Sequence, residues 1–428
     1  MTAFSAHTPA LPMEPTRSGG GELVHQLPQS RLTAPIFLID PEIPGIPRRL
    51  AKRKNRRMTS SDFAPIEAIA LDIARADMHY VTTSLLGLSS SAAAEIALLQ
   101  YGAMAAYEAK LHFEKALGWR LSAEWDADTA RAARMSGKFF ADTKRTLDGV
   151  VTHFEDLLQA NHGAFFPPNR RGKPFDFLRD DLSVVTLNGS PYTSLVSAHY
   201  LAGLSSNQVG DLASVGPAIR KLSVGIGNIA GTLLQNSDID PHRHGPIPPF
   251  RWLDGKSRIA MPRLFGGELD PPLAAALLTV QSTSFSAIQS VSRSQCSWCE
   301  IAARKHRFIA LFQSLKTLEI LRQNGIQTPR SADMMAFLDE PESVWILGQS
   351  RLRNGLVHLG LQDIASSLGA GSTIHDAVRA YTGLESDAVA ARTLNHLTLF
   401  VSRLTAWMLS PTVDGRLFLS ALHRAPLE

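Results

Sequence analysis

Residues 91–117 read SAAAEIALLQYGAMAAYEAKLHFEKAL, a run without proline and with one glycine. Alanine, leucine, glutamate, glutamine and lysine lose little conformational freedom in a helix, so this stretch predicts a long helix and sets the fold class. Working outward, the helical pattern extends from 62 to about 161. On the N-terminal side Ile66, Ile69 and Ile73 recur at spacings of three and four. On the C-terminal side residues 126–160 place Phe139, Phe140, Leu147, Val150, Val151, Phe154, Leu157 and Leu158 on one broad face, and Asn161-His162-Gly163 is the expected stop before Pro167-Pro168.

Beyond that block, residues 162–190 read as loop, with a basic spot at Asn169-Arg170-Arg171-Gly172-Lys173. Residues 191–235 read mostly as helix interrupted by glycines, with short strands an option around Val184-Val185-Thr186-Leu187. Seven prolines and four glycines break up 236–272, which is read as a linker between domains. Helices are expected again near 273–291, 297–323, 331–337, 342–361, 373–381 and 387–409. Asn324-Gly325 is a C-cap with Pro329 beyond it. Alternating strand patterns are nearly absent, so the expectation is an all-α protein. Its organisation would be a basic tail at 1–57, a helical N-terminal domain at 58–235, the linker, and a helical domain at 273–428.

Composition agrees with a globular body. The chain has 428 residues, 44% hydrophobic and 19% charged, enough for a large core. Two cysteines exclude a disulfide framework and make a reducing, cytoplasmic setting the default. No apolar run approaches the ~18–20 residues a membrane span needs, and the N-terminus lacks signal-peptide organisation. The net charge of +4 belongs to the tail: residues 1–57 hold nine Lys/Arg against four Asp/Glu, and the remainder holds 34 against 35. The tail ends in Arg48-Arg49-Leu50-Ala51-Lys52-Arg53-Lys54-Asn55-Arg56-Arg57, which reads as a disordered arm for nucleic acid or as a solvated segment. Met58, where a helical pattern starts cleanly after a few polar residues, is an alternative start.

The segment with chemistry in it is Gln349-Ser350-Arg351-Leu352-Arg353-Asn354-Gly355-Leu356-Val357-His358-Leu359-Gly360. Leu352, Leu356 and Leu359 form a buried stripe at i, i+4 and i+7. Asn354 and His358 lie about 40° apart on an ideal helix, whereas Arg353 and His358 lie about 140° apart. A histidine moves protons at neutral pH, a guanidinium holds phosphate, and an asparagine orients either. Transesterification by an RNA 2′-hydroxyl needs little else, and no metal. The wide angle between Arg353 and His358 is relieved by a distortion near Gly355 or by two motifs facing across a dimer axis. The plainer reading has Arg353 and Asn354 solvated and His358 a satisfied, half-buried side chain.

Leu352-Arg353-Asn354-Gly355-Leu356-Val357-His358, followed by Leu359-Gly360, resembles the R-x4-6-H motif of HEPN domains. The resemblance covers about 273–410, and its sharp part is about ten residues. It implies a helical bundle, a homodimer and a metal-independent endoribonuclease acting on RNA, in antiviral defence, abortive infection or a toxin–antitoxin pair with an antitoxin or other regulatory partner. Arg353 and His358 would be catalytic, Asn354 the accompanying polar residue, and Arg351 a substrate contact, with no cofactor or metal. The alternatives are a non-enzymatic helical scaffold and a nucleic-acid-binding regulator acting through the tail.

Other clusters carry less. Cys296-Ser297-Trp298-Cys299 is a lone CxxC that would need distant histidines such as His306, His242 or His244 to hold zinc, and two buried thiols are the simpler reading. Asp238-x-Asp240-x-His242-x-His244 is ligand-rich but proline-flanked, as exposed loops are. Trp345 and Trp407 are expected in the core. Gly19-Gly20-Gly21 lacks the Lys-Ser/Thr of a phosphate loop.

Overall fold

The structure is a computed structural model, and it describes residues 63–87, 92–118, 121, 125–136, 146–167, 180–234, 250–289 and 297–409. The tail 1–57, Phe139, Phe140, the Asn169–Lys173 run, the Asp238–His244 run and Cys296 lie outside these residues. Within them the protein is all-α apart from one small sheet. The N-terminal half supplies α1 (Pro65–Gly87), α2 (Ala92–Leu117), α3 (Ala127–Ser136) and α4 (Leu147–Phe165). Strands β1 (Leu182–Leu187) and β2 (Ser190–Ser194) follow, then α5 (Leu195–Leu201), α6 (Ser206–Gly210) and α7 (Leu212–Leu234). After β3 (Arg251–Gly255) come α8 (Ser257–Ala260), a 3-10 segment, α9 (Pro271–Gln289) and α10 (Ser297–Gln323). The chain ends in α11 (Ala332–Ala336), α12 (Pro341–Gly348), α13 (Ser350–His358), α14 (Ile374–Thr382) and α15 (Ser386–Met408).

Helix α9 is the central post. It packs against α4, α10, α15 and β2 and is buried all round, as a helix with no polar face must be. Some of its hydroxyls are bonded inside, Thr279 donating to the Ala275 carbonyl at 2.8 Å and Ser284 meeting Ser314 at 2.8 Å, while those of Ser282 and Thr283 are buried without a partner among the described residues. Helix α1 lies along α10, α2 and α7. The chain before 236 and the chain after 272 therefore share one core through α1, α4, α9 and α10.

The seam between α1 and α10 is polar. Lys305 and Asp77 form a salt bridge with both side chains 2% exposed. The Tyr101 hydroxyl of α2 donates to the same carboxylate at 2.6 Å, and the Tyr101 and His306 rings lie 4.2 Å apart. Burial pushes the His306 imidazole down to about 3, so it is neutral in the fold.

Several expectations are corrected. The helix expected over 126–160 is described as two, α3 and α4. The stop at Asn161-His162-Gly163 is overrun to Phe165, because Asn161 is fully buried and donates to the Asp181 carbonyl. The short strands allowed around 184–187 are present as β1 and most of 191–235 is helical, but neither the loop reading of 162–190 nor the helix reading of 191–235 foresees β2 and the hairpin it closes. Asn188 (φ 52) and Gly189 (φ 80) turn β1 into β2, as an Asn-Gly pair with two positive φ angles does. The linker reading of 236–272 misses β3, which pairs antiparallel with β1 so that the strand order is β2-β1-β3. Trp407 is in the core against Phe265, but Trp345 is only half-buried, with the Arg392 guanidinium 4.3 Å from its ring centre.

Candidate active site

The helix expected over 342–361 is two helices. Gln349 (φ −86, ψ 36) separates α12 from α13, and Leu359 (φ 57) ends α13 directly after His358. Leu352, Leu356 and Leu359 are buried, as their spacing requires. Behind them a cavity of about 40 Å³, lined by Ile301, Phe308, Val378 and Val389 among others, is too small for a substrate. Gly355 faces Tyr381: a Cβ there would sit 2.9 Å from the Tyr381 hydroxyl. That hydroxyl donates to Asp363, which also accepts from Arg351 Nε at 2.9 Å. Desolvation opposes the charge of Asp363, but its bonds from Tyr381 and Arg351 outweigh it and hold the carboxyl below its usual range. Arg351 is thus tethered at its guanidinium, though 69% exposed.

The opposite side of α13 meets α2. His358 Nδ1 lies 2.8 Å from Glu108 Oε2, with the imidazole 41% exposed and the carboxylate 9%. Assigned as the donor, Nδ1 fixes the tautomer and leaves Nε2 as the acceptor, without a protein partner among the described residues. Arg353 is half-buried. Desolvation lowers its guanidinium from the ordinary value, and the charge of Glu108 works in the opposite sense. Its Nη1 donates to Asn354 Oδ1 at 3.0 Å, and its Nε is buried without an acceptor. His358 is bonded to Glu108, whereas Arg353 feels the charge of Glu108 without pairing with it, as the wide angle between their positions on α13 leads one to expect. Asn354 is exposed beside them.

Glu108 is the residue the sequence reading missed. It sits 250 positions from His358, in a run whose neighbours Ala105, Ala106 and Ala109 are buried. A lone carboxylate on an alanine-rich buried face is the available signal, since such a charge must find a partner.

A second set of residues, Asp181, Ser257 and His162, has the composition of a nucleophilic triad but not its order. The Asp181 carboxylate is central: it accepts from Ser257 Oγ at 2.6 Å, from the Ser257 amide at 2.7 Å and lies 2.9 Å from His162 Nδ1. The serine is spent on the aspartate rather than on the imidazole, so the cluster joins α4, β1 and the start of α8 without activating a nucleophile. Of the CxxC pair, Cys299 is buried, with Sγ 3.4 Å from His79 Nδ1. No group of three or more His, Cys, Asp or Glu side chains converges for metal binding among the described residues. Nor is any helix among them long and apolar enough to cross a membrane.

Neither a family model nor a curated protein nor a solved structure matches this chain.

Proposed function

We propose that the protein is a metal-independent endoribonuclease of the HEPN type, with Glu108, Arg353 and His358 as its site. The observation that carries this reading is the Glu108–His358 pair: a half-exposed imidazole, held at Nδ1 by a mostly buried carboxylate, with Nε2 open to solvent. A base oriented by a third group is the arrangement acid–base chemistry uses. The 2′-oxygen of RNA attacks the adjacent phosphorus and its proton passes to His358 Nε2. The P–O5′ bond breaks and the leaving 5′-oxygen takes a proton from the imidazolium. The products are a 2′,3′-cyclic phosphate and a 5′-hydroxyl. Arg353 neutralises the charge gathering on the phosphoryl oxygens, Asn354 holds the guanidinium, and Arg351 contacts the flanking strand. A homodimer would place two such sites in one cleft, under the control of a regulatory partner such as an antitoxin. Antiviral defence, abortive infection or a toxin–antitoxin pair, in the cytoplasm, is the role that the HEPN resemblance implies.

A second reading, a helical scaffold with a degenerate site, is favoured by Arg353 alone: its buried Nε and its bond to Asn354 turn part of the guanidinium away from substrate.

The two readings separate in one experiment. Purified full-length protein is incubated with a labelled mixed RNA pool in EDTA, alongside His358→Ala and Glu108→Gln. The nuclease reading expects cleavage that falls about 10²–10⁴-fold in His358→Ala, the range for losing a general acid or base, and by a smaller factor in Glu108→Gln. Equal cleavage by wild type and His358→Ala would remove His358 from the site. No cleavage by any of them, with or without a 2′,3′-cyclic product assay, would favour the scaffold.

A further inference from the structure

Ion pairing is unevenly distributed over the surface. From α10 onward, most arginines are matched to carboxylates, Arg304 with Glu300 and Asp387, Arg322 with Asp339, Arg379 with Asp376 and Glu385, Arg392 with Glu342 and Arg403 with Glu340, while Arg307 and Arg353, which are not, are half-buried. The stretch 251–263, which contains β3 and α8, is different. It holds Arg251, Lys256, Arg258 and Arg263 against the single carboxylate Asp254, a net charge of 4 − 1 = +3. Asp254 is itself engaged by the Ser183 hydroxyl. None of the four cations has a carboxylate partner among the described residues. Arg251, Arg258 and Arg263 are exposed and Lys256 is half-buried.

The same stretch carries two of the most exposed large apolar side chains of the described residues, Trp252 at 53% and Ile259 at 44%. Local structure explains the display. Leu253 faces the core, so Trp252 and Asp254 point to the other face of an edge strand that, among the described residues, pairs with β1 alone. Ser257 and Ala260 are buried, which turns Arg258 and Ile259 outward on the short α8 turn.

Unpaired cations in the same short stretch as an exposed indole offer what a single-stranded nucleic acid recognises: phosphates take the cations and a base stacks on the ring. We infer that the β3–α8 surface is a binding site for single-stranded RNA, separate from the α2–α13 site and serving to hold substrate for it. The choice of RNA over DNA rests on the nuclease reading; the cation–indole surface does not.

Binding is measured by fluorescence anisotropy with a labelled single-stranded RNA in EDTA, using full-length protein that carries His358→Ala so that binding is read without cleavage. In that background, Arg251→Gln/Lys256→Gln/Arg258→Gln/Arg263→Gln should weaken binding about tenfold or more. It should also reduce the slope of log K against log salt by up to about 3, given ~0.7 per phosphate contact on single strands. Trp252→Ala alone should weaken binding about fivefold or more, as loss of one stacked base does, with circular dichroism unchanged. Affinity and salt slope unmoved in both variants would overturn the inference, because binding would then belong elsewhere, the basic tail included. It would also fall if the variants abolish binding to vesicles of anionic phospholipid while leaving RNA binding intact. RNA binding that depends on this surface, in a protein that never cleaves, would sink the nuclease reading and leave this one standing. Cleavage with unmoved binding would do the reverse.

Discussion

Helix α2 carries two polar stations, Tyr101 and Glu108, seven residues and two turns apart. On an ideal helix they differ by only about 20° in azimuth and about 10 Å along the axis. At the first, Tyr101 meets Asp77 and His306, and Asp77 pairs with Lys305, all in the core. At the second, Glu108 meets His358, whose ring is 41% exposed. Each is a carboxylate paired with a cation-forming side chain across helices. The first is sealed, so its charges serve only to lock the register of α1 against α10. The second opens on one side, so its imidazole keeps a nitrogen for chemistry. Depth below the surface, more than residue type, separates a structural ion pair from a candidate site.

If that contrast holds, the sealed station governs stability and the open one does not. The largest effect is expected from Lys305→Met, which leaves Asp77 buried without its cation. Removing one partner of a buried pair is expected to cost about 3–5 kcal/mol, read as a lower urea midpoint at unchanged m-value. Acid comes next. His306 and His199 have folded values pushed down by burial to about 3 and about 4, against about 6.5 in the unfolded chain. Below pH 6.5 the unfolded state therefore binds more protons, and stability is lost as pH falls towards the folded values. By pH 5 each should contribute about 2 kcal/mol of destabilisation, and His306→Gln should reduce the slope of unfolding free energy against pH by up to about 1.4 kcal/mol per pH unit between about 6.5 and the folded value. A slope that His306→Gln does not change would mean this histidine is not held neutral.

Gly355→Ala follows. Its Cβ would sit 2.9 Å from the Tyr381 hydroxyl, and overpacking of this kind is expected to cost about 1–3 kcal/mol. In the same variant Arg351 should lose part of its tether, since Tyr381 and Arg351 share Asp363. The smallest effect is expected from His358→Ala at the open station, about 1 kcal/mol by thermal or urea unfolding, because Glu108 loses its partner but the vacated, half-exposed place admits water to it. A drop comparable to that of Lys305→Met would erase the distinction between the two stations and favour a purely structural role for His358.

The bundle was legible because its helices advertise themselves. The alanine-rich 92–117 helix and the leucine stripe of α13 follow from propensity and spacing alone. The sheet was harder to see. Asn188-Gly189 is a strong hairpin signal, but β1 is buried on both faces and so shows no alternation, and β3 stands in a stretch read as a break because of its prolines. The candidate site was half legible. Arg353, Asn354 and His358 are contiguous and stand out. Glu108 does not, because its meaning comes from α2 crossing α13, a contact that no local pattern encodes. The break at Gln349 had one local signal, Gly348 directly before it, which the single-helix reading of 342–361 passed over; the packing of α12 on α15 then sets where one helix ends and the next begins.

Leu359 fixes more than the end of a helix. A leucine with φ of 57° adopts a conformation that glycine would enter more cheaply, yet its side chain is 2% exposed and so is clamped by the core. The bend and the clamp act on the residue immediately after the imidazole. The chain at this point behaves as a latch: α13 cannot unwind or lengthen by a turn without pulling a leucine out of the interior. The reach of His358 towards Glu108 is thereby set in the backbone, before either side chain chooses a rotamer.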